Sequence, residues 1–204
     1  MENLVKQLAE RRDLTDEQFC ALLAADEWDA ELFEAADRVR RARYGADVYI
    51  RGLIEFTNYC KNDCYYCGIR RSNSRAERYR LTQAQILACC AEGYALGFRT
   101  FVLQGGEDPY FTDDRLCAVV SAIRKNHPDC AVTLSVGERS HESYKRLFEA
   151  GAERYLLRHE TADPAHYGRL HPASLSAAAR QACLACPGPQ RGCCWVMQWM
   201  LPPP

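Results

Sequence analysis

The chain has 204 residues, 48% of them hydrophobic, with 26 Lys and Arg against 27 Asp and Glu for a formal net charge of −1. That length and apolar content can bury a core, and the even charge balance argues against a polyanionic partner such as nucleic acid. No apolar run reaches the roughly 18 residues that a membrane-spanning helix needs, and Met1-Glu-Asn-Leu-Val-Lys-Gln7 has no apolar signal core, so the sequence reads as cytoplasmic with no membrane partner. The first 45 residues read as a helical extension. Thr15 and Gln18 make a capping box before Phe19, Leu22 and Leu23, and Asp29 opens a second run with Leu32, Phe33, Ala36 and Val39 on one face. The cations Arg38 to Arg43 precede a Gly45 stop, where they complement the negative end of a helix dipole.

The pattern then changes to that of a strand over Val48 to Phe56, and a cysteine-rich loop follows: Phe56-Thr-Asn-Tyr-Cys-Lys-Asn-Asp-Cys-Tyr-Tyr-Cys-Gly68. Cys60, Cys64 and Cys67 place three thiols within eight residues. Such a set grips a polynuclear centre but supplies one ligand too few to close a four-iron cubane, leaving one iron open to a small molecule. A structural zinc site fits poorly, because it needs a closed tetrahedral set and no second Cys or His pair stands at ribbon spacing. A disulfide framework would need an oxidising compartment. Of the other cysteines, Cys20, Cys89, Cys90, Cys117 and Cys130 read as small buried hydrophobes. The basic stretch Arg70 to Arg80 is either ordinary surface or a face turned to an anionic site, an electron donor or an acidic substrate.

Beyond the loop, Thr82-x-x-Gln85 caps a helix running through Leu96 to a Gly97 stop. Arg99 to Gln104 is an apolar strand that leads into Gly105-Gly106-Glu107. A helix over Asp113 to Asn126, a strand over Ala131 to Val136, a helix from Ser140 to Ala150 stopped by Gly151, and a strand over Arg154 to Arg158 follow. Asp163-Pro164 starts a short helical turn, and Ser174 or Ser176 caps one more helix. Strands alternating with helices through short turns predict an α/β protein, about four βα units of a parallel TIM-type barrel over residues 46–184. In such a barrel function collects after the strand C-termini. The cysteines, Gly105-Gly106-Glu107, Ser135-x-Gly-Glu138 and His159-Glu160-Thr161 all fall there.

Four blocks carry a resemblance: Ile54 to Arg71, Val102 to Tyr110, Thr133 to Glu138 and Tyr155 to Asp163. Together they resemble the radical S-adenosylmethionine (SAM) superfamily and, within it, the [FeFe]-hydrogenase maturase family HydE, a relative of biotin synthase and methylornithine synthase. The block Arg158-His-Glu-Thr-Ala-Asp163 favours HydE over its sister families, and the likeness runs to about Leu184. The resemblance implies that Cys60, Cys64 and Cys67 ligate a [4Fe-4S] cluster whose open iron is chelated by the methionyl group of SAM, and that reduction yields a 5′-deoxyadenosyl radical for H-cluster assembly. It implies that the main chain of Gly105, Gly106 and Glu107 meets the methionyl amino group, that Glu160 binds SAM, and that Arg180 pairs with the methionyl carboxylate. Gln104, Tyr66 and Ser135 complete the implied pocket. The bland alternatives are a tight turn at Gly105-Gly106 and a solvated helix arginine at Arg180. Implied partners are a low-potential electron donor of flavodoxin or ferredoxin type and the other hydrogenase maturases.

After Leu184 the composition shifts: residues 185–204 hold five of nine prolines, two of three tryptophans and two of three methionines. No strand pattern is legible there. The expectation is a barrel incomplete at its C-terminus, in a truncated or frameshifted product with a disordered aberrant tail whose Cys186, Cys193 and Cys194 form no second cluster. That leaves three functional readings: an active HydE-type enzyme, an inactive remnant that binds at most cluster and SAM, or a sister enzyme such as methylornithine synthase.

Overall fold

A computed structural model describes residues 4–185 and the backbone of 194–197. The chain divides into two compact units, residues 1–49 and 50–204.

The first unit is helical, with α1 (Leu4–Arg11), α2 (Asp16–Leu23), a single 3-10 turn at Asp26–Trp28 and α3 (Asp29–Tyr44). The Thr15 capping box is formed in full. Its small core joins Val5, Leu14, Leu22 and Ala35, with Leu4, Leu8, Trp28 and Leu32 packed on it. The expected apolar face of α3 differs: Phe33 is 65% and Val39 50% exposed. The stripe that packs is Leu32 and Ala35, three residues apart, so one helix face was misjudged by about one position. Arg40 and Arg41 pair with Asp37, and Arg40 also donates to the Gly45 carbonyl, a solvated helix end as the composition implied.

The second unit is a parallel sheet with helices between successive strands: β1 (Gly52–Thr57), α4 (Gln83–Ala95), β2 (Thr100–Gly105), α5 (Asp113–Asn126), β3 (Ala131–Ser135), α6 (His141–Glu149), β4 (Arg154–Leu157), α7 (Pro164–Leu170) and α8 (Ala177–Leu184). A fifth strand, β5 (Cys194–Met197), completes the order β1-β2-β3-β4-β5. That strand corrects the expectation for the tail: Cys194–Met197 pairs in parallel with Arg154–Leu157. The rest of the tail, including Cys186 and Cys193, lies outside the described residues. β1 also begins later than expected. Its ladder opens at Gly52 against Phe101, and Val48, Tyr49 and Ile50, with no strand beside them to pair with, are exposed.

Strand alternation sorts side chains between the two faces of the sheet. Ile54, Phe56, Phe101, Leu103, Val132 and Leu134 point to the helices and join Ile86, Leu116, Val120, Ile123 and Leu147 in the main core. The opposite face carries Leu53, Glu55 and Gln104, and Gln104 Nε2 donates to Glu55 Oε1 at 3.2 Å. Among the scattered cysteines, Cys90 and Cys130 are buried as expected, whereas Cys20 and Cys89 are exposed on helix surfaces. Thr82 caps α4, Ser140 precedes α6 and Ser176, rather than Ser174, caps α8 as expected, and the structure adds Thr112 as the cap of α5.

Candidate functional site

The cysteine loop leaves β1 and runs to Arg80 without regular secondary structure, so its shape must come from other groups. Arg78 supplies much of it, donating to the carbonyls of Asn58, Ile69, Arg70 and Asn73. Ser72 N–H bonds to Asp63, Asn73 bonds to the Gly68 carbonyl, and Tyr65 N–H reaches the Leu170 carbonyl at the end of α7. Two members of the basic stretch, Arg78 and Arg80, are therefore fasteners of the loop, while Arg71 and Arg75 are exposed.

The Gly105-Gly106-Glu107 turn sits directly under this loop. A Cβ on Gly106 would lie 2.2 Å from the Tyr59 carbonyl oxygen and 2.8 Å from Cys60 Cβ, and one on Gly105 would meet Thr57 Cγ2 at 2.6 Å. These glycines are required by close approach of two backbones. Gly106 O accepts from Asp108 N–H and Glu107 O from Lys61 N–H, each using one of a carbonyl's two acceptor positions. The Glu107 carboxylate bonds to Lys61 and to the Glu138 N–H.

Asp108, its side chain 1% exposed, is held by Arg80 Nε and Nη2 at 2.7 and 2.9 Å, by the Thr57 hydroxyl at 2.7 Å and by Tyr110 N–H. Burial alone would raise this carboxyl, but Arg80, Thr57 and the Tyr110 N–H together hold it below its usual value. A depressed carboxylate stabilises the fold above its unfolded pKa and loses that contribution as pH falls through the folded value. Asp108→Asn should cost about 1–2 kcal/mol near pH 7, discounted because Arg80 is 35% exposed. The difference in melting temperature from the parent protein should begin to narrow below about pH 4, near the unfolded carboxylate value, and go on narrowing as pH falls toward the lower folded value, which thermal melts from about pH 7 downward would check.

The three thiols are free and half-buried. Burial pushes Cys60 up, while the N–H groups of Asn62 and Glu107 oppose it. Cys64 is pushed up to about 11 by burial and then by the charges of Cys60 and Cys67, with Arg180 pulling the other way. Mutual repulsion among the thiolates is what a bound cation would relieve. Among the described residues no group of three or more His, Cys, Asp or Glu is arranged to hold one metal ion, whereas the ligands of a cubane each take a different iron.

On the far side of the loop, Arg180 comes from α8 with its side chain 9% exposed. Its Nε lies 2.8 Å from Glu138 Oε1 in an ion pair, although the N–H is not aligned for a hydrogen bond, and Nη1 reaches the Arg158 carbonyl at 3.5 Å. A buried guanidinium with an unused donor suits an anionic ligand. The Glu138 carboxyl is raised by burial and by Glu107 against the pull of Arg180. Tyr66 hydroxyl is 3.2 Å from His171 Nε2. His171 Nδ1 faces the Tyr167 carbonyl, so in the neutral ring Nδ1 carries the proton and Nε2 accepts from Tyr66. Burial, then the Glu160 and Cys64 charges, push the Tyr66 phenol up. Glu160 itself is held at φ 66°, a left-handed conformation that costs a non-glycine residue on the order of 1 kcal/mol.

The fold thus gathers Cys60, Cys64, Cys67, Tyr66, Glu107, Glu160 and Arg180, and stacks Gly105 and Gly106 beneath the loop. Gln104 is engaged with Glu55, and Ser135 ends β3 in register with it. The site residues that sequence reasoning passed over are Asp108, Arg80, Thr57, Lys61 and His171. Glu138 was visible only as part of a post-strand motif, and His171 carries no local signal.

The family model of the radical SAM superfamily matches residues 54–185. The chain belongs to the radical SAM superfamily. It is 44% identical over 165 residues to the [FeFe] hydrogenase maturase subunit HydE of Thermotoga maritima, covering 80% of this chain and 47% of that protein. A crystal structure of methylornithine synthase superposes with a TM-score of 0.76 at 29% identity, covering 89% of this chain and 54% of the other. A structure of HydG, a maturase of the [FeFe]-hydrogenase, gives 0.79 at 25%, covering 89% and 42%. The chain spans about half the length of these relatives. Radical SAM enzymes use a [4Fe-4S] cluster and SAM, and the residues fit both: three free, half-buried thiols in one loop for the cluster, and a buried arginine whose Nε makes no hydrogen bond for a carboxylate. Among the described residues no helix is long and apolar enough to cross a membrane.

Proposed function

We propose that this chain forms the cluster and SAM half of a radical SAM enzyme of the HydE type, acting in assembly of the [FeFe]-hydrogenase H-cluster. The observation that carries this reading is the interlocking of the Cys60, Cys64 and Cys67 loop with the Gly105-Gly106-Glu107 turn, with Arg180 close enough to act on Cys64. Cys60, Cys64 and Cys67 hold the cluster. The turn orients the methionyl amino group, Arg180 takes the carboxylate, and Glu160 with Tyr66, Gln104 and Ser135 lines the remainder. Cluster and SAM together supply one-electron reductive cleavage of a carbon–sulfur bond. The chain's own contribution is to exclude water, fix the methionyl group and present Arg71 and Arg75 on the exposed loop, a surface suited to an acidic flavodoxin or ferredoxin. The other hydrogenase maturases are the expected partners, in a cytoplasmic setting.

Anaerobic reconstitution followed by reduction with SAM tests the activity, with 5′-deoxyadenosine as the expected product. A chain that keeps its cluster and releases none would be the inactive remnant. Methylornithine synthase activity is the lesser alternative, and formation of methylornithine by the reconstituted protein would favour it. Arg180→Ala should weaken SAM binding by about 1.5–3 kcal/mol, the scale of a hydrogen bond to a charged group. Titrating SAM into the reduced protein and following the cluster's electron paramagnetic resonance (EPR) signal measures this.

A further inference from the structure

The role of Asp108 extends beyond one ion pair. Its carboxylate receives Arg80 from the far end of the cysteine loop and the Thr57 hydroxyl from the end of β1. The same hydroxyl accepts the Tyr59 N–H, at 3.2 Å, and Arg80 also lies 3.8 Å over the Tyr59 ring. Tyr59 precedes Cys60, and its carbonyl is what a side chain at Gly106 would strike. Asp108 N–H in turn bonds to Gly106 O at 2.8 Å. The contacts close a circuit: Asp108 to Thr57, Thr57 to Tyr59, Tyr59 to Gly106, and Gly106 back to Asp108. An ion pair serving stability alone has no need to meet both sides of one gap, but this one does.

We propose that Asp108 is a positioning residue that, with Thr57 and Arg80, sets the spacing between Cys60 and the Gly105-Gly106-Glu107 turn, and hence whether one ligand can reach the cluster and the turn together. The inference rests on the reading that the cysteines hold a cluster and the turn meets SAM. It concerns alignment of two anchors, so each anchor taken singly survives its loss. Cysteine ligation is untouched when the circuit opens, and iron is retained. A molecule that must satisfy both anchors loses one of them.

Three variants test this. Thr57→Val keeps volume and removes the hydroxyl, Thr57→Ser keeps the hydroxyl, and Asp108→Asn replaces an acceptor that Thr57 and Arg80 both use. Each is reconstituted anaerobically, assayed for iron, reduced, and titrated with SAM while the EPR signal is followed. Thr57→Val and Asp108→Asn should hold parent-level iron but show a SAM dissociation constant raised by roughly tenfold or more, with Thr57→Ser near the parent value. Should Asp108→Asn not fold, Arg80→Lys, which keeps the charge but breaks the two-point contact with Asp108, is expected to weaken SAM binding as well. Lowered melting temperatures with unchanged SAM binding in Thr57→Val and the Asp108 or Arg80 variant would overturn the proposal and leave the functional reading standing. A parent protein that holds a cluster yet shows no response to SAM would overturn both.

Discussion

Cys64→Ala protein, reconstituted anaerobically beside the parent chain, should hold no stable cluster, against about four irons per chain in the parent. The reason is ligand count. Three thiols already leave one iron without a protein ligand, and two leave half of a cubane unheld. Cys64 is also pushed up to about 11, first by burial and then by the charges of Cys60 and Cys67. Iron analysis and the visible absorption of the oxidised protein read the outcome, and full iron retention in Cys64→Ala would sink the assignment. Changing Cys193 or Cys194 should leave the iron content as it is.

Much of this architecture was legible because local chemistry and tertiary packing agree. Thr82, Ser140 and Ser176 announce helix starts, Gly97 and Gly151 announce stops with φ of 95° and 109°, and the apolar runs between them have room only for strands of a parallel sheet. Where the reading failed, the deciding fact lay outside the local window. Val48 to Ile50 have strand-forming side chains, but a strand needs a partner and β2 begins too late to provide one. Phe33 looks like a core residue, yet α3 packs through Ala35. The short strand β5 was hidden by the prolines and glycines around it, because composition averages over a window longer than four residues. The site shows the same division. A cysteine spacing is a sequence property, whereas the Asp108 circuit joins residues 57, 80 and 108 and exists only after β1 and β2 pair. Glu138 and Arg180 are likewise 42 positions apart (180 − 138) and meet only because the loop after β3 and helix α8 converge at the same end of the sheet.

Gly106→Ala should abolish SAM binding, although it removes no functional atom. The added methyl would sit 2.2 Å from the Tyr59 carbonyl oxygen and 2.8 Å from Cys60 Cβ, both far inside van der Waals contact. Rotating a side chain cannot relieve the first of these, since the obstacle is backbone. That backbone is itself fixed: the Tyr59 N–H is taken by Thr57, and Arg80 covers its ring. Either the cysteine loop lifts off the turn or the turn drops away from the loop, at an overpacking cost of about 1–3 kcal/mol or more. Both movements separate Cys60 from the turn, so the variant should lose SAM binding while its three cysteines still hold iron. Gly168→Ala is the control. Its Cβ meets nothing within 4 Å and it lies inside α7, where alanine is preferred over glycine by roughly 0.5–1 kcal/mol, so it should leave iron and SAM binding unchanged and melt slightly higher. Normal SAM binding in Gly106→Ala would show that the two backbones part more easily than their packing implies, and would weaken the case that this contact builds the site.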